Sequence, residues 1–433
     1  MSYIFCFHNK KNMLLYNALE GQGCILSSNA FNYFDVDNKG TVVGCSASVP
    51  LHLKKYLSKK NLLDFSSDKT KNELYLKKRL LYASEGKLIG SIRLTITRDC
   101  NCFCDYCYVN REYGKNLHLN ATDCLDFIEK IIKISNLTRY SIRFFGGEPT
   151  LFFDVIKEIV CKLEILHPDI CFDYTLNTNL QVISKYMVNF LTSHSFKVVV
   201  SLDGCRLQND HFRHSLVSKS YYLQVIDNLK LIQNFCTTNL VIASVVTNSN
   251  KNDLIPFLME MKEIGIKHIG LNCARMCSSD VLDYDNYLAD QLFDAFLWGE
   301  RNGITVSGYW YLPFERIMTG SDYAYCGGLG HELDLRPDGN IYSCVGSNDY
   351  LGNLIVFDNI FNSSKYLEIV GRIAPFIEEC DGCMIQGLCA GECACNAKYV
   401  TNNTNSIDTR VCNFQKAITE KLIFHYLDSF DGQ

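Results

Sequence analysis

Residues 92–97, Ile-Arg-Leu-Thr-Ile-Thr, alternate with period two like a strand and run straight into a cysteine-studded loop. Residues 97–108 read Thr-Arg-Asp-Cys-Asn-Cys-Phe-Cys-Asp-Tyr-Cys-Tyr. Cys100, Cys104 and Cys107 form a C-x3-C-x2-C triplet, with Cys102 inside it. Three thiolates on one short loop suit a cubane iron–sulfur cluster, because they ligate three irons and leave the fourth open to another ligand. A structural zinc site wants four closed ligands, normally as two Cys pairs. The plain alternative is three unrelated thiols, and Cys102 shows that stray cysteines occur in this chain.

The chain has 433 residues, enough for two or three domains with ample core. Its 47% hydrophobic and 21% charged residues are ordinary for a soluble globular protein. A net charge of -5 argues against a nucleic-acid-binding surface. No basic-plus-apolar leader and no run of about 18 apolar residues is visible, so the expectation is a cytoplasmic protein without a membrane partner. In a cytosolic chain, 22 cysteines point to metal or cluster chemistry and not to disulfides. Three lie in the triplet and seven in a pattern near the C-terminus. The other twelve, Cys161 and Cys236 among them, lie in apolar stretches and are expected as buried thiols.

Residues 1–88 read as a small α+β module. Runs 2–7 and 30–45 look strand-like, with Asp37-Asn38-Lys39-Gly40 as a hairpin turn. Runs 51–63 and 71–83 have helical periodicity and many lysines. From residue 92 to 302 strand and helix alternate. The strand-like runs are 92–97, 140–145, 172–178, 197–202, 239–246 and 268–272. Helical runs at 121–135, 153–166, 183–193, 221–235 and 254–264 separate them. Six β/α repeats imply a parallel sheet with right-handed crossovers, an α/β fold whose chemistry collects at the C-terminal strand ends. Gly146-Gly147-Glu148-Pro149 follows the second strand; glycines admit close backbone approach, and a carboxylate can accept from an ammonium. Alone it is only a turn. Thr178-Asn179 ends the third strand, Ser201-Leu202-Asp203-Gly204 the fourth, and Arg213 follows twelve positions after Ser201. Asn272, ending the sixth, is a candidate pocket residue.

The triplet, with Tyr106 before its last Cys, resembles the signature of the radical S-adenosylmethionine (SAM) superfamily. The resemblance implies a partial (β/α)6 TIM barrel over residues 89–310 and a [4Fe-4S] cluster on Cys100, Cys104 and Cys107. It implies that Gly146, Gly147 and Glu148 meet the methionyl amino group. Ser201 and Arg213 resemble the pair that contacts SAM in sulfatase-maturing enzymes, Arg213 by a bidentate hold on the carboxylate. Asn179 reads equally as a strand-ending Asn and as a cofactor contact.

Residues 311–433 carry a second constellation. Cys326-x12-Gly339-x4-Cys344 is followed by Cys380-x2-Cys383-x5-Cys389-x3-Cys393 and then Cys412. This resembles the seven-cysteine SPASM domain; one or two zinc sites are the alternative. The resemblance implies two auxiliary [4Fe-4S] clusters, three clusters in all. Cys326, Cys344 and Cys393 would hold one, with its fourth iron open, on a non-Cys ligand or reached by Cys395. Cys380, Cys383, Cys389 and Cys412 would hold the other. Val345 stands where sulfatase maturases place an Asp base, which disfavours formylglycine formation. His331, Glu332, Asp334 and Arg336 read as strand-flanking surface groups, Asp349 has no evident role, and residues 417–427 read as an amphipathic helix.

The reaction implied is SAM cleavage to methionine and a 5'-deoxyadenosyl radical, hydrogen abstraction, and radical coupling with the surplus electron leaving through an auxiliary cluster. No catalytic acid or base is assigned. The resemblance implies a precursor peptide with a leader as substrate and a flavodoxin or ferredoxin as reductant. The product would be a carbon–carbon, ether or thioether crosslink, of cyclophane or darobactin type among others. The module at 1–88 reads equally as a winged-helix leader-binding domain, taking the leader as an added strand, and as a plain extension. Maturation of a folded protein partner, and a structural or sensing iron–sulfur or zinc protein, are the competing readings.

Overall fold

In the computed structural model, residues 3–65, 69–107, 117–235, 240–276, 281–321 and 323–430 are described. Ser2 and Asn239, which start two expected strands, lie outside these residues, as do Tyr108 and Cys236. The β/α alternation of the sequence becomes a parallel sheet. Ser91–Thr97, Arg139–Gly146, Cys171–Thr178, Lys197–Ser201, Leu240–Val246, His268–Cys273 and Thr305–Ser307 pair in chain order. The last is one strand more than the sequence suggested. Helices Ala121–Ser135, Phe153–Leu166, Lys185–Ser193, Tyr221–Phe235, Leu254–Ile264 and Asn286–Asn302 connect them. Asn120 caps the first helix by accepting from Asp123 N at 2.8 Å. Ser184 caps the third through Met187 N at 3.2 Å, which starts it two residues later than periodicity suggests. Alternate strand residues such as Ile92, Leu94, Ile142, Phe144, Leu176, Val198 and Val200 fill the core.

The Cys-rich part enters the same sheet. Glu332–Leu335 pairs in parallel with Ser91–Thr97, and Asn340–Tyr342 and Tyr350–Asn353 continue antiparallel to the edge. This corrects the reading of Glu332, Asp334 and Arg336 as surface groups; all three are buried. Glu332 pairs with Arg93 at 2.9 Å, and Asp334 accepts from Thr95 Oγ1 at 2.7 Å and Arg336 Nε at 3.1 Å. Buried charges survive only when paired; Arg93 and Thr95 come from a strand some 240 residues away in sequence, while Arg336 is a near neighbour. His331 is also drawn in, with Nε2 3.1 Å from Arg79 Nη1.

The N-terminal residues form a three-stranded antiparallel sheet, Ile4–His8, Asn12–Asn17 and Gln22–Ser27. A hairpin of Phe34–Val36 and Val42–Cys45 turns at Asp37–Gly40 as expected, Gly40 at φ +79°. Helices Leu51–Lys59 and Lys69–Ser84 follow. Every residue of Asn12–Asn17 is buried. One reason is the 21-residue helix Thr409–Ser429: Asn12 Nδ2 donates to Leu427 O at 2.9 Å. Tyr16 Oη donates to Met384 O at 3.1 Å, and Gly387 N to Ala18 O at 2.7 Å. Phe5, Leu14, Tyr16 and Ala18 share one apolar cluster with Ile385, Leu388, Ile423 and Leu427. The module is therefore built into the Cys-rich part. Of the unpatterned cysteines, Cys6, Cys24 and Cys124 are buried as expected, Cys161 is half-buried, and Cys171 is exposed against expectation.

Tyr16→Ala should cost about 3–5 kcal/mol in denaturant unfolding, because it empties a fully buried aromatic site. A loss under about 1 kcal/mol would mean that the sheet merely rests against the Cys-rich residues.

Candidate functional site

The loop carrying Cys100, Cys104 and Cys107 is clamped at its base by the second strand. Gly147 N donates to Thr97 O at 2.8 Å, and Glu148 N to Asp99 O at 2.9 Å. A Cβ at Gly147 would fall on the carbonyls of Arg98 and Asp99, and one at Gly146 on that of Thr97. Gly146 also adopts φ +151°. Two glycines are what let these two strand ends touch.

Glu148 does not point outward. It is wholly buried, and its carboxylate accepts from Thr150 N (3.1 Å), Thr150 Oγ1 (2.6 Å), Thr178 Oγ1 (2.8 Å) and Asn179 N (2.6 Å). Burial pushes its pKa up, and these hydrogen bonds oppose the shift. The side chain ties the second strand to the third. Asn179 extends that tie, with Nδ2 2.7 Å from Asn101 Oδ1 and 3.5 Å from the Cys100 sulfur.

Residues Cys102–Cys104 form a short antiparallel ladder with Arg213–Ser215, pairing Cys104 with Arg213. Arg213 makes its bidentate pair with Asp203, at 2.6 and 2.9 Å. Its Nη1 lies 3.8 Å from the Cys104 sulfur. The Tyr106 hydroxyl donates to the same Asp203, and Arg213 stacks 5.5 and 5.7 Å from the Tyr106 and Tyr221 rings. Tyr221 Oη donates to the Ser201 carbonyl at 2.9 Å. Two of the Arg213 donors that could hold a ligand carboxylate are thus taken by Asp203, whose pairing with Arg213 the sequence reading did not assign. The signal was present: an acid at a strand end, ten residues before the Arg. Burial pushes the Cys104 thiol up to about 11, with Arg213 opposing.

Electrostatically, Cys393 and Cys344 raise the Cys326 thiol, and Cys389, Cys383 and Cys412 raise that of Cys380. Burial pushes the Cys326 thiol up to about 12. Arg336 Nη2 donates to Cys344 O at 2.9 Å and Ser347 O at 2.6 Å, which fixes the Cys344 turn to the sheet. Cys395, outside the seven, has its sulfur 3.6 Å from that of Cys344. Asn396 Oδ1 accepts from Met276 N at 2.8 Å, which fastens the loop after the sixth strand to this set. Asn272 is half-buried on that strand, and Asp349 is ion-paired with Lys398 and Lys365 at 2.9 and 3.3 Å. Among the described residues no three His, Cys, Asp or Glu side chains close around a single metal ion. The donor sets are thiols alone, which suits iron–sulfur clusters.

No family model matches the chain. The radical SAM cyclopropyl synthase TigE of Paramaledivibacter caminithermalis is 26% identical over 369 residues, 80% of this chain and 76% of that protein. The cysteine-type anaerobic sulfatase-maturating enzyme of Clostridium novyi is 24% identical over 75% of this chain and 92% of its own. Over most of its length the chain is therefore similar to radical SAM enzymes. Its likeness to solved radical SAM structures is one of fold. Native anSMEcpe with bound AdoMet matches with a TM-score of 0.68 at 20% identity, over 78% of this chain and 100% of that one. Streptococcus suis SuiB bound to precursor peptide SuiA matches with 0.57 at 16% identity, over 94% and 98%.

Asp203→Ala strands a buried guanidinium and should cost about 3–5 kcal/mol in unfolding. Asp105→Ala, whose exposed carboxylate lies 3.5 Å from His214, should stay within about 0.5 kcal/mol of wild type. Equal effects would show that the Asp203–Arg213 pair is not a structural support.

Proposed function

We propose that the chain is a radical SAM/SPASM maturase that installs an intramolecular crosslink in a ribosomally made precursor peptide. The observation that carries the proposal is the convergence of the Cys100–Cys104–Cys107 loop, the Gly146-Gly147 turn and the Arg213 ladder at the C-terminal strand ends, with a second cysteine set fastened to the same sheet. Cys100, Cys104 and Cys107 would hold the SAM-binding [4Fe-4S] cluster. The backbone of Gly146 and Gly147 would take the SAM ammonium, because the Glu148 carboxylate is already filled by four donors. Ser201 and the Nη1 edge of Arg213 would take the ribose and carboxylate, and Tyr106 braces Arg213 from one face. Bound there, cluster and SAM supply a 5'-deoxyadenosyl radical that removes hydrogen from the substrate. Cys326, Cys344 and Cys393, and Cys380, Cys383, Cys389 and Cys412, would hold two auxiliary clusters that take the surplus electron, with a flavodoxin or ferredoxin as outside reductant.

A peptide substrate is supported by the likeness to SuiB with its bound SuiA. In the N-terminal sheet a leader strand would add at the outer edge of Gln22–Ser27, since the outer edge of Ile4–His8 is bridged by Gly40 and Thr41. TigE, a cyclopropyl synthase by name, makes carbon–carbon closure the product class to test first. Val345 after Cys344 removes the base that formylglycine formation uses in sulfatase maturases, which disfavours a sulfatase substrate.

Anaerobic reconstitution should give about twelve irons per chain and release 5'-deoxyadenosine under reduction. Cys104→Ala should abolish release, and a co-expressed precursor should lose two hydrogens by mass. Zinc in place of iron, or turnover by Cys104→Ala, would overturn the proposal.

A further inference from the structure

We propose that Cys395 supplies the fourth thiolate of the set Cys326, Cys344 and Cys393, so that this auxiliary centre has no open iron. The inference rests on reading those cysteines as an iron–sulfur site, and it assigns the one ligand that the seven-cysteine pattern leaves unassigned.

Three observations converge on it. First, the Cys395 sulfur stands 3.6 Å from that of Cys344, across 51 residues of sequence, and faces Cys393 as well. A Cβ at Gly328 would lie 3.0 Å from Cys344 Cβ and 3.7 Å from the Cys326 sulfur, so glycine there keeps a side chain off both cysteines. Gly346 stands beside the same set, 3.9 Å from the Cys395 sulfur at its Cβ position and 3.3 Å from Met276 Cε. Second, Cys393 and Cys395 sit at the start of helix Ala394–Thr401, Cys393 as its N-cap. Backbone amides of Cys395 and Asn396 donate to Cys393. A helix start favours thiolates over thiols. Third, cations face this set. Arg275 lies 5.2 and 4.9 Å from the ring centroids of Tyr309 and Tyr325, beside Cys393. Arg93 acts on Cys344. Four thiolates around a 2+ core carry two net negative charges, which a half-buried site needs cations to balance.

On ligation Cys395 gives up its thiol proton and its sulfur bonds to iron. A centre capped by four thiolates has no vacancy for a substrate atom. Its role is then confined to carrying the surplus electron, and substrate is held by side chains and backbone alone.

The test uses the full chain with Cys100, Cys104 and Cys107 changed to Ala, which removes the SAM-binding cluster with its own open iron. Reconstituted anaerobically, it should hold about eight irons. Ferricyanide then probes for an uncapped iron, since a three-thiolate cluster loses Fe2+ and one electron to become a three-iron cluster visible by EPR. No three-iron signal is expected with Cys395 present, and a strong one is expected when Cys395→Ala is added. Cys395→Ser, nearly isosteric, is the second variant and should give the same signal more weakly. A three-iron signal with Cys395 intact, or no difference on its removal, overturns the assignment while leaving the maturase reading in place. Absence of iron from the background chain sinks both.

Discussion

Two backbone hydrogen bonds, from Gly147 N to Thr97 O and from Glu148 N to Asp99 O, hold the cysteine loop to the sheet. They need two adjacent residues without side chains, since a Cβ at either glycine would collide with a carbonyl of the loop. Everything at that end of the sheet is arranged around this contact. Glu148 turns inward to stitch the second strand to the third, and Asn179 carries the stitch back to Cys100. Arg213 closes the other side through its ladder with Cys104. The loop is thus held from three strand ends, which is the kind of preorganisation that a cofactor site requires.

A second join sets the relation of the two cysteine regions. Glu332–Leu335 lies beside the first strand in the same sheet; Arg93 and Thr95 bind Glu332 and Asp334 across it, and Arg336 binds Asp334 from two residues on. Arg336 then grips the turn bearing Cys344. A chain of paired charges therefore runs from the strand that precedes one cysteine set to the turn that carries another. Buried pairs of this sort contribute little net stability, but leaving one partner alone is costly, so they fix register.

The sequence disclosed the elements whose polarity alternates. Ile92, Leu94 and Ile96 meet the core while the polar side of the same strand is buried through partners such as Asp334, and the helices between the strands show their apolar stripe. Asn12–Asn17 escaped notice because all six of its residues are buried, so no alternation marks it. Cysteine spacing marked the C-terminal cysteines as candidates, since ligands must converge whatever the fold does between them. Contacts distant in sequence were not legible. Glu332 and Asp334 look like surface acids until Arg93 and Thr95 are beside them. The Arg213 partner was visible as a residue and invisible as a pair, because only the fold brings Asp203 beneath the guanidinium. Cys395 could be noticed in the sequence, but its 3.6 Å approach to Cys344 needed the fold.

The central claim is that the glycine contact holds one cysteine loop so that an open iron can receive SAM. EPR of the reconstituted, reduced chain with and without SAM tests it most directly. SAM should shift the signal of one centre and leave the others unchanged, and Gly147→Ala should abolish that shift while the auxiliary signals persist. A SAM-induced shift that survives Gly147→Ala, or none in the unaltered chain, would contradict the account.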